Sequence, residues 1–468
     1  MNLQKMLMLT ACSATCVFAG GINTNTNQSA IFQRSVARDA STDVDAPYAN
    51  PAGTAFMKDG WHISLNSQTF FQNRYATVDK SPVIEDGKEF EGESFVLSMP
   101  SLFLTWHHGN LAISSHLGII GGGGSVQFDD GIPSFVALMA SPIKQMEASL
   151  TEKGLETTKS SVDLSLDASS YVYGATVGAS YKFKDMVSVY LGARFNYASN
   201  KYEGSIDGLK LNTKIPGVNP EGKMTKASEM AKKFGQLAEK AESKEEKEKY
   251  ATLSKTFESL DEKASMELDV EQTGWGITPI FGLGFQYKRL TLGAKLEYNT
   301  SIEVENDTKK NTTPLKKFDD GESDHADIPT LVTVGLTYSV LDNLRLSLGY
   351  HHWFDSKADF SEDLEDYIDD TNEFLFGLEL DALKCLTLSG GLQVTRFGIT
   401  DEYISDMNIN LSARTFGFGI GYHPVDWLNV NVSYFHTLYE KYREKETYGY
   451  VTYSRTSRGI GLGLDFNL

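Results

Sequence analysis

Asp39-Ala40-Ser41-Thr42-Asp43-Val44-Asp45-Ala46-Pro47-Tyr48-Ala49-Asn50-Pro51-Ala52-Gly53 decides how the rest of the chain is read. Its composition suits neither a strand nor a long helix. Pro47 and Pro51 remove backbone donors, and Asn50-Pro51 and Ala52-Gly53 form turns. Directly after it a period-two alternation begins and recurs to the last residue. A turn-rich segment ahead of a long series of strands suits a plug, which must fold back on itself inside a lumen rather than pair along a sheet edge.

Upstream, Met1 to about Ala19 reads as a secretory signal. Lys5 supplies the positive start, Met6 to Phe18 is mostly apolar, and Val17-Phe18-Ala19 precedes a cut ahead of Gly20. Leu9-Thr10-Ala11-Cys12 also matches a lipoprotein cleavage box, which would lipidate Cys12 and leave only a few apolar residues in the signal. Either route exports the chain. Cleavage at Ala19 leaves Cys385 as the only cysteine, so a disulfide framework or thiolate metal site within the chain is excluded.

The 468 residues would by length suggest two or three soluble domains. Composition points elsewhere. Mean hydropathy is -0.29, and after the signal no apolar run is long enough for a transmembrane helix. The 41 Gly and 22 Tyr, many in alternating segments, suit a large antiparallel β protein. The net charge of -19 argues against a nucleic-acid partner, because phosphate binding needs clustered Lys and Arg.

The alternation is plain in Trp61–Gln68, Val187–Tyr197, Leu290–Tyr298, Leu344–Tyr350, Asn429–Tyr434 and Ile460–Leu468. One face carries Val, Leu, Ile, Phe and Tyr, and the other Gly, Ser, Thr and Asn. A solvent face would hold more Lys and Glu, so the small polar face suits a crowded lumen and the apolar face suits lipid. A bilayer tolerates no unpaired sheet edge, so such strands must close. Tight turns are expected at 107–110, 182–185, 287–289, 340–343, 381–384 and 423–426. Long polar segments lie near 73–93, 125–160, 206–265, 303–326, 356–370, 400–408 and 438–449. Together they join 14 strands, with the short turns periplasmic. The expectation is an all-β, 14-stranded antiparallel transmembrane β-barrel spanning a bacterial outer membrane many times. Its divisions are a signal over 1–19, an N-terminal hatch over 20–59 and a barrel over 60–468, with a helical extracellular insertion at about 209–264. Met230, Phe234, Leu237, Ala241, Tyr250, Leu253, Phe257 and Leu260 mark that insertion as a helical hairpin. A shorter helix-compatible stretch covers Lys144–Glu147.

The signal, then Asn27-Gln28-Ser29-Ala30, Ala37-Arg38-Asp39-Ala40 and Asp43–Gly53, then strands ending in Phe466-Asn467-Leu468, resembles the FadL-type transporters of long-chain fatty acids and their hydrocarbon-importing relatives. Asn50-Pro51-Ala52-Gly53 is the most specific element, and the resemblance covers essentially the whole mature chain. It implies a hatch inside the barrel, gated at Asn50, Pro51, Ala52 and Gly53. It also implies an outer hydrophobic groove, an inner pocket and a kinked third strand through which ligand leaves sideways. Gly121, Gly122, Gly123 and Gly124 end a strand; by themselves they fit either a gap in the wall or a flexible lead-in to the next loop, and the resemblance favours the gap.

Transport of an amphiphile needs a dry apolar path, a counter-charge and a way to open. Arg194, Lys295, Arg345 and Arg455 point inward by alternation, and each either holds a ligand carboxylate or pairs with an inward acid such as Glu297, Glu379 or Asp465. No catalytic set stands out: His62, His116, His351 and His352 are scattered, so an enzyme is not expected. Neither a cofactor nor a metal site is expected. His107-His108 and Asp369-Asp370 fit a turn and a solvated loop, the latter also able to bridge Ca²⁺ to lipopolysaccharide phosphates. The expected partners are a hydrophobic small molecule and the lipid and lipopolysaccharide of the outer membrane, with no nucleic acid and the chain acting as a monomer. The competing reading is a non-transporting plugged barrel that displays its helical loop as an adhesin or partner-binding module.

Overall fold

In a computed structural model the described residues are 28–128, 131–152, 154–360, 367–400, 403–406 and 408–468. The expected signal, the alternative at Cys12 and the first residues of the expected hatch lie outside them.

The wall is one antiparallel sheet whose first and last strands pair, from His62↔Asn467 to Asp79↔Tyr450, which closes the barrel. Its 14 staves follow the chain. They are β1 (Gly60–Asp79), β2 (Lys88–His108), β3 (Leu111–Phe128), β4 (Ser160–Phe183), β5 (Val187–Leu211) and β6 (Met266–Tyr287). Next come β7 (Leu290–Glu297 and Glu303–Asn311), β8 (Ser323–His325 and Leu331–Leu341), β9 (Leu344–Trp353), β10 (Ile368–Leu383) and β11 (Leu386–Ile399). The last are β12 (Ala413–Val425), β13 (Leu428–Tyr439 and Tyr442–Glu446) and β14 (Gly449–Asn467).

All six tight turns fall where the sequence places them. At one, Lys184 and Asp185 both take positive φ, as a twisted two-residue hairpin requires. The long polar segments differ from expectation. Ala76–Val78 and Lys88–Phe90 are paired strand, as are Glu303–Asn311 and Tyr442–Glu446. β4 and β5 run to 24 and 25 residues, against about nine to eleven for a tilted strand crossing hydrocarbon. The ladder therefore continues past the apolar band, where polar alternation still satisfies the backbone.

Side chains sort by face. Leu65, Val177, Leu191, Leu283, Phe376 and Leu462 are exposed on the outside. Trp61, Tyr181, Tyr287, Tyr338, Tyr422 and Trp427 ring the short-turn rim, and Tyr173, Phe195, Trp275 and Phe374 form a higher ring. A closed barrel with an apolar band between two aromatic girdles is built for an outer membrane. On the inside, the β1 residues Ser64, Asn66, Gln68, Gln72 and Arg74 are buried although no solvent-excluding sheet covers them.

The N-terminal segment covers the lower of them, its Ala30 amide donating to Asn66 at 2.9 Å, while Gln72 lies under Arg455 of β14. Helix α1 (Ala30–Arg34), the single turn α2 (Ala46–Ala49) and a 3-10 turn at Pro51–Phe56 contain almost only buried residues. The segment fits because the facing strands carry glycine. A Cβ at Gly293 would collide with the Asp39 carbonyl, and one at Gly417 with that of Gln33.

At the long-loop rim, α3 (Pro133–Glu152), α4 (Ala227–Lys240) and α5 (Lys244–Ala264) form a separate cap. Met230, Phe234 and Phe257 share a core with Leu150, Leu209, Leu211 and Ile215. The helices thus begin later than residue 209, because β5 extends to Leu211 and Thr225-Lys226 pairs back onto it.

Candidate functional site

A cavity lies inside the barrel between the N-terminal segment and the wall. Phe32, Ile120, Ile328, Leu331 and Trp353 line it together with Arg38, Asp39, Tyr48, Arg194, Lys295, Glu297 and His351. It is amphipathic: apolar and charged side chains alternate around it, with the His351 and Trp353 rings 5.3 Å apart.

One cluster of its charged groups comes from inward positions of β5 and β7, which flank β6. Arg194 of β5 meets Glu297 of β7 at 2.7 Å, and Lys295, two residues before Glu297 on the same strand face, meets the other carboxylate oxygen at 2.6 Å. Lys295 also donates to the Tyr48 carbonyl at 2.9 Å and lies 4.8 Å above the Tyr48 ring. Two buried cations therefore share one carboxylate, and the cluster carries an excess positive charge. Buried charge costs free energy unless matched, so an anion entering here is drawn to it.

A second cluster joins segment to wall. His351 Nε2 contacts Asp39 at 2.7 Å and its Nδ1 contacts Glu373 at 2.9 Å. Arg34 and Arg38 both reach Glu379, at 2.9 and 3.2 Å. Arg38 also grips Asp45 through two nitrogens, at 2.9 and 2.8 Å. Burial opposes the Arg38 charge, but Asp45, Glu379 and Asp43 outweigh it and hold its proton more tightly than in water.

The four inward cations separate here. Arg194 and Lys295 line the cavity. Arg345 lies nearer the short-turn rim, paired bidentately with Asp381 at 2.6 and 2.9 Å. Arg455 binds Gln72, donates to the Ile409 carbonyl at 3.4 Å and faces the Tyr439 ring at 4.7 Å. Neither of these two is among the cavity-lining residues. Of the proposed acid partners, Glu297 and Glu379 take cations. Asp465 instead accepts from Ser64 and Asn431, both at 2.6 Å.

Asn50 to Gly53 shape the segment rather than line the cavity. Asn50 donates to the Ser41 carbonyl at 2.9 Å, and the Gly53 amide bonds the Asn50 carbonyl at 2.8 Å. Ser188 of β5 donates to the Ala52 carbonyl at 2.7 Å, and Pro51 opens the 3-10 turn. A Cβ at Gly53 would collide with the Ser41 carbonyl.

The glycine run lies at a break in the wall. Between β3 and β4 the register slips twice, at Ile119/Gly121 and at Gly121/Gly124, and Gly122 takes φ +83°. β2 and β3 pair from His108↔Leu111 to Leu102↔Leu117 and then only at Glu93↔Gln127. Among the described residues no ladder joins them between these points. The sequence reading missed the β2 half of this break. β2 bulges against β1 between Val96 and Met99, and Pro100 has no N–H to give. A proline inside a long strand was the available signal. An apolar cluster of Phe32, Phe70, Met99 and Ile119, with Val96 and Tyr171 against it, runs from the cavity side to this break. Asp39, Glu373 and Gln28 were also missed as wall contacts; only the register reveals their partners.

No family model and no curated protein matches the sequence. Solved structures do match by shape. A Pseudomonas aeruginosa FadL homologue superposes with TM-score 0.62 at 11% identity, covering 96% of this chain and 100% of the other. The Pseudomonas putida toluene transporter TodX gives 0.58 at 12% identity, covering 96% and 100%. The Ralstonia pickettii toluene transporter TbuX gives 0.52 at 15%, covering 91% and 94%. The protein is an outer-membrane β-barrel with the fold of the FadL homologue and the toluene transporters.

Proposed function

We propose that this barrel is a passive importer of long-chain fatty acids or similar hydrophobic molecules across the outer membrane. Molecules are captured at the long loops and enter the cavity beside the N-terminal segment, which acts as the hatch. They leave sideways into the bilayer between β2 and β3, where Gly121 to Gly124 kink the third strand. The observation that carries this reading is the amphipathic cavity with an apolar cluster running from its Phe32 side to a break in the wall. Similar folds are named as toluene transporters, which supports a hydrophobic ligand; the excess positive charge at Arg194 and Lys295 supports one with an anionic head.

Cells producing the protein are expected to take up labelled oleate, and replacing Gly122 by Pro or both Asn50 and Pro51 by Ala is expected to abolish uptake with the barrel still in the membrane. Undiminished uptake in these variants sinks the proposal. The display reading is tested separately by deleting residues 222–264: loss of surface adhesion with normal uptake assigns the helices to display.

A further inference from the structure

We propose that Gln28 is the bolt of the lateral opening, a side chain of the N-terminal segment that takes the place of the missing strand pairing between β2 and β3. This rests on the reading that ligand leaves between these strands. The Gln28 side-chain amide donates through Nε2 to the Ile119 carbonyl, and its Oε1 accepts from the Ile119 amide at 3.1 Å. A primary amide offers the same donor and acceptor pair as a peptide unit, so it satisfies Ile119 as a neighbouring strand residue would. Ile119 lies just beyond the last continuous pair, Leu102↔Leu117. On the opposite lip, Ser101 of β2 donates to the Gln28 backbone carbonyl at 3.1 Å. One residue therefore bridges both edges of the break.

The bolt is fixed to the cavity by a short, stiff path. Ser29 caps α1 by accepting from the Phe32 amide at 3.0 Å, and the Ala30 amide is held by Asn66 of β1 at 2.9 Å. Phe32, in the helix that begins two residues after Gln28, lines the cavity. An occupant that pushes Phe32 moves α1, and Gln28 is joined to α1 through the capping residue Ser29. Hydrogen bonds through Gln28 thus close the opening beside the apolar cluster of Phe32, Met99 and Ile119, and Gly118 leaves the space for the amide: a Cβ there would stand 3.1 Å from Gln28 Oε1.

The test uses the full chain in the outer membrane with three variants. Gln28→Ala removes the amide and leaves the wall untouched. A Ser101→Cys, Gly118→Cys pair in a Cys385→Ser background, which itself removes the Ser101 bond and crowds Gln28 and so is expected to match Gln28→Ala before bridging, staples the lips once bridged by a short bis-thiol reagent. The stapled barrel is then combined with Gln28→Ala. Resistance to unfolding in detergent before heating checks the wall. Hydrogen exchange at Ile119 and the rate of oleate uptake are read. The expected result is that Gln28→Ala speeds both on the order of tenfold, the equivalent of one or two net hydrogen bonds lost, and that stapling blocks uptake with or without Gln28. Uptake unchanged by Gln28→Ala while the staple blocks it overturns the bolt and leaves the lateral exit standing. Uptake unaffected by the staple overturns the exit itself and the bolt with it.

Discussion

Glu297 holds the charge balance of the cavity. With Arg194 at 2.7 Å and Lys295 at 2.6 Å, it neutralises one of two buried cations. Glu297→Gln leaves both unmatched, and losing one partner of a buried pair costs roughly 3–5 kcal/mol. The variant is expected to unfold at lower urea concentration and to bind dodecyl phosphate or oleate more tightly than the parent, read by denaturation and by equilibrium dialysis. Weaker binding would mean the cluster serves only the segment. Steric fit is equally local. Gly293→Val drives a side chain into the Asp39 carbonyl, an overpacking worth about 1–3 kcal/mol. Proteolysis within residues 28–57 is expected to accelerate while the barrel stays resistant, as seen by mass mapping of the fragments. Alternation alone identified Arg194 and Lys295 as inward-facing, because a period of two is local. It could not identify Asp39 with His351, whose contact joins positions 312 apart. That contact exists only because the barrel register brings β9 opposite the folded segment.

At the scale of elements, the break between β2 and β3 has two causes, and only one was legible. Four glycines in a row left open a break in β3 or a flexible lead-in, and it was the resemblance that favoured the break, where the register against β4 slips. The answering bulge and Pro100 in β2 went unread because the flanking alternation is strong on both sides. Gly122→Val places a β-branched residue at φ +83° with its Cβ against the Ser170 carbonyl. β3 must then shift to a different register against β4, and oleate uptake is expected to fall at least tenfold with normal amounts of barrel in the membrane. Uptake at the parental rate would place the exit elsewhere. The loops were overestimated for a related reason. Polar residues beyond the hydrocarbon looked like loop, yet β1 with β2 and β6 with β7 keep pairing there. The helical cap was legible from its periodicity, since Phe234 and Phe257 stack with ring centroids 5.7 Å apart on a shared core. Deleting 222–264 uncovers Leu209 and Leu211, so the variant is expected to self-associate more in detergent, measured by light scattering, while the wall below it still closes.

Taken as a whole, the molecule is a lipid-facing wall around a charged interior. Its outer face needs only apolar residues of any shape, which is why the barrel was readable from pattern while sequence identity to solved barrels of the same fold is as low as 11%. The inside demands more: glycine where the segment touches strand, ion pairs where it is tied down, and a space left between them. A brominated long-chain fatty acid soaked into crystals of the full barrel, with its bromines located by anomalous diffraction, tests the central claim most directly. Bromine among Phe32, Ile120 and Trp353, with the carboxylate turned toward Arg194 and Lys295, is the expected result. Bromine confined to the outer apolar belt, with the cavity empty at saturating ligand, would contradict it.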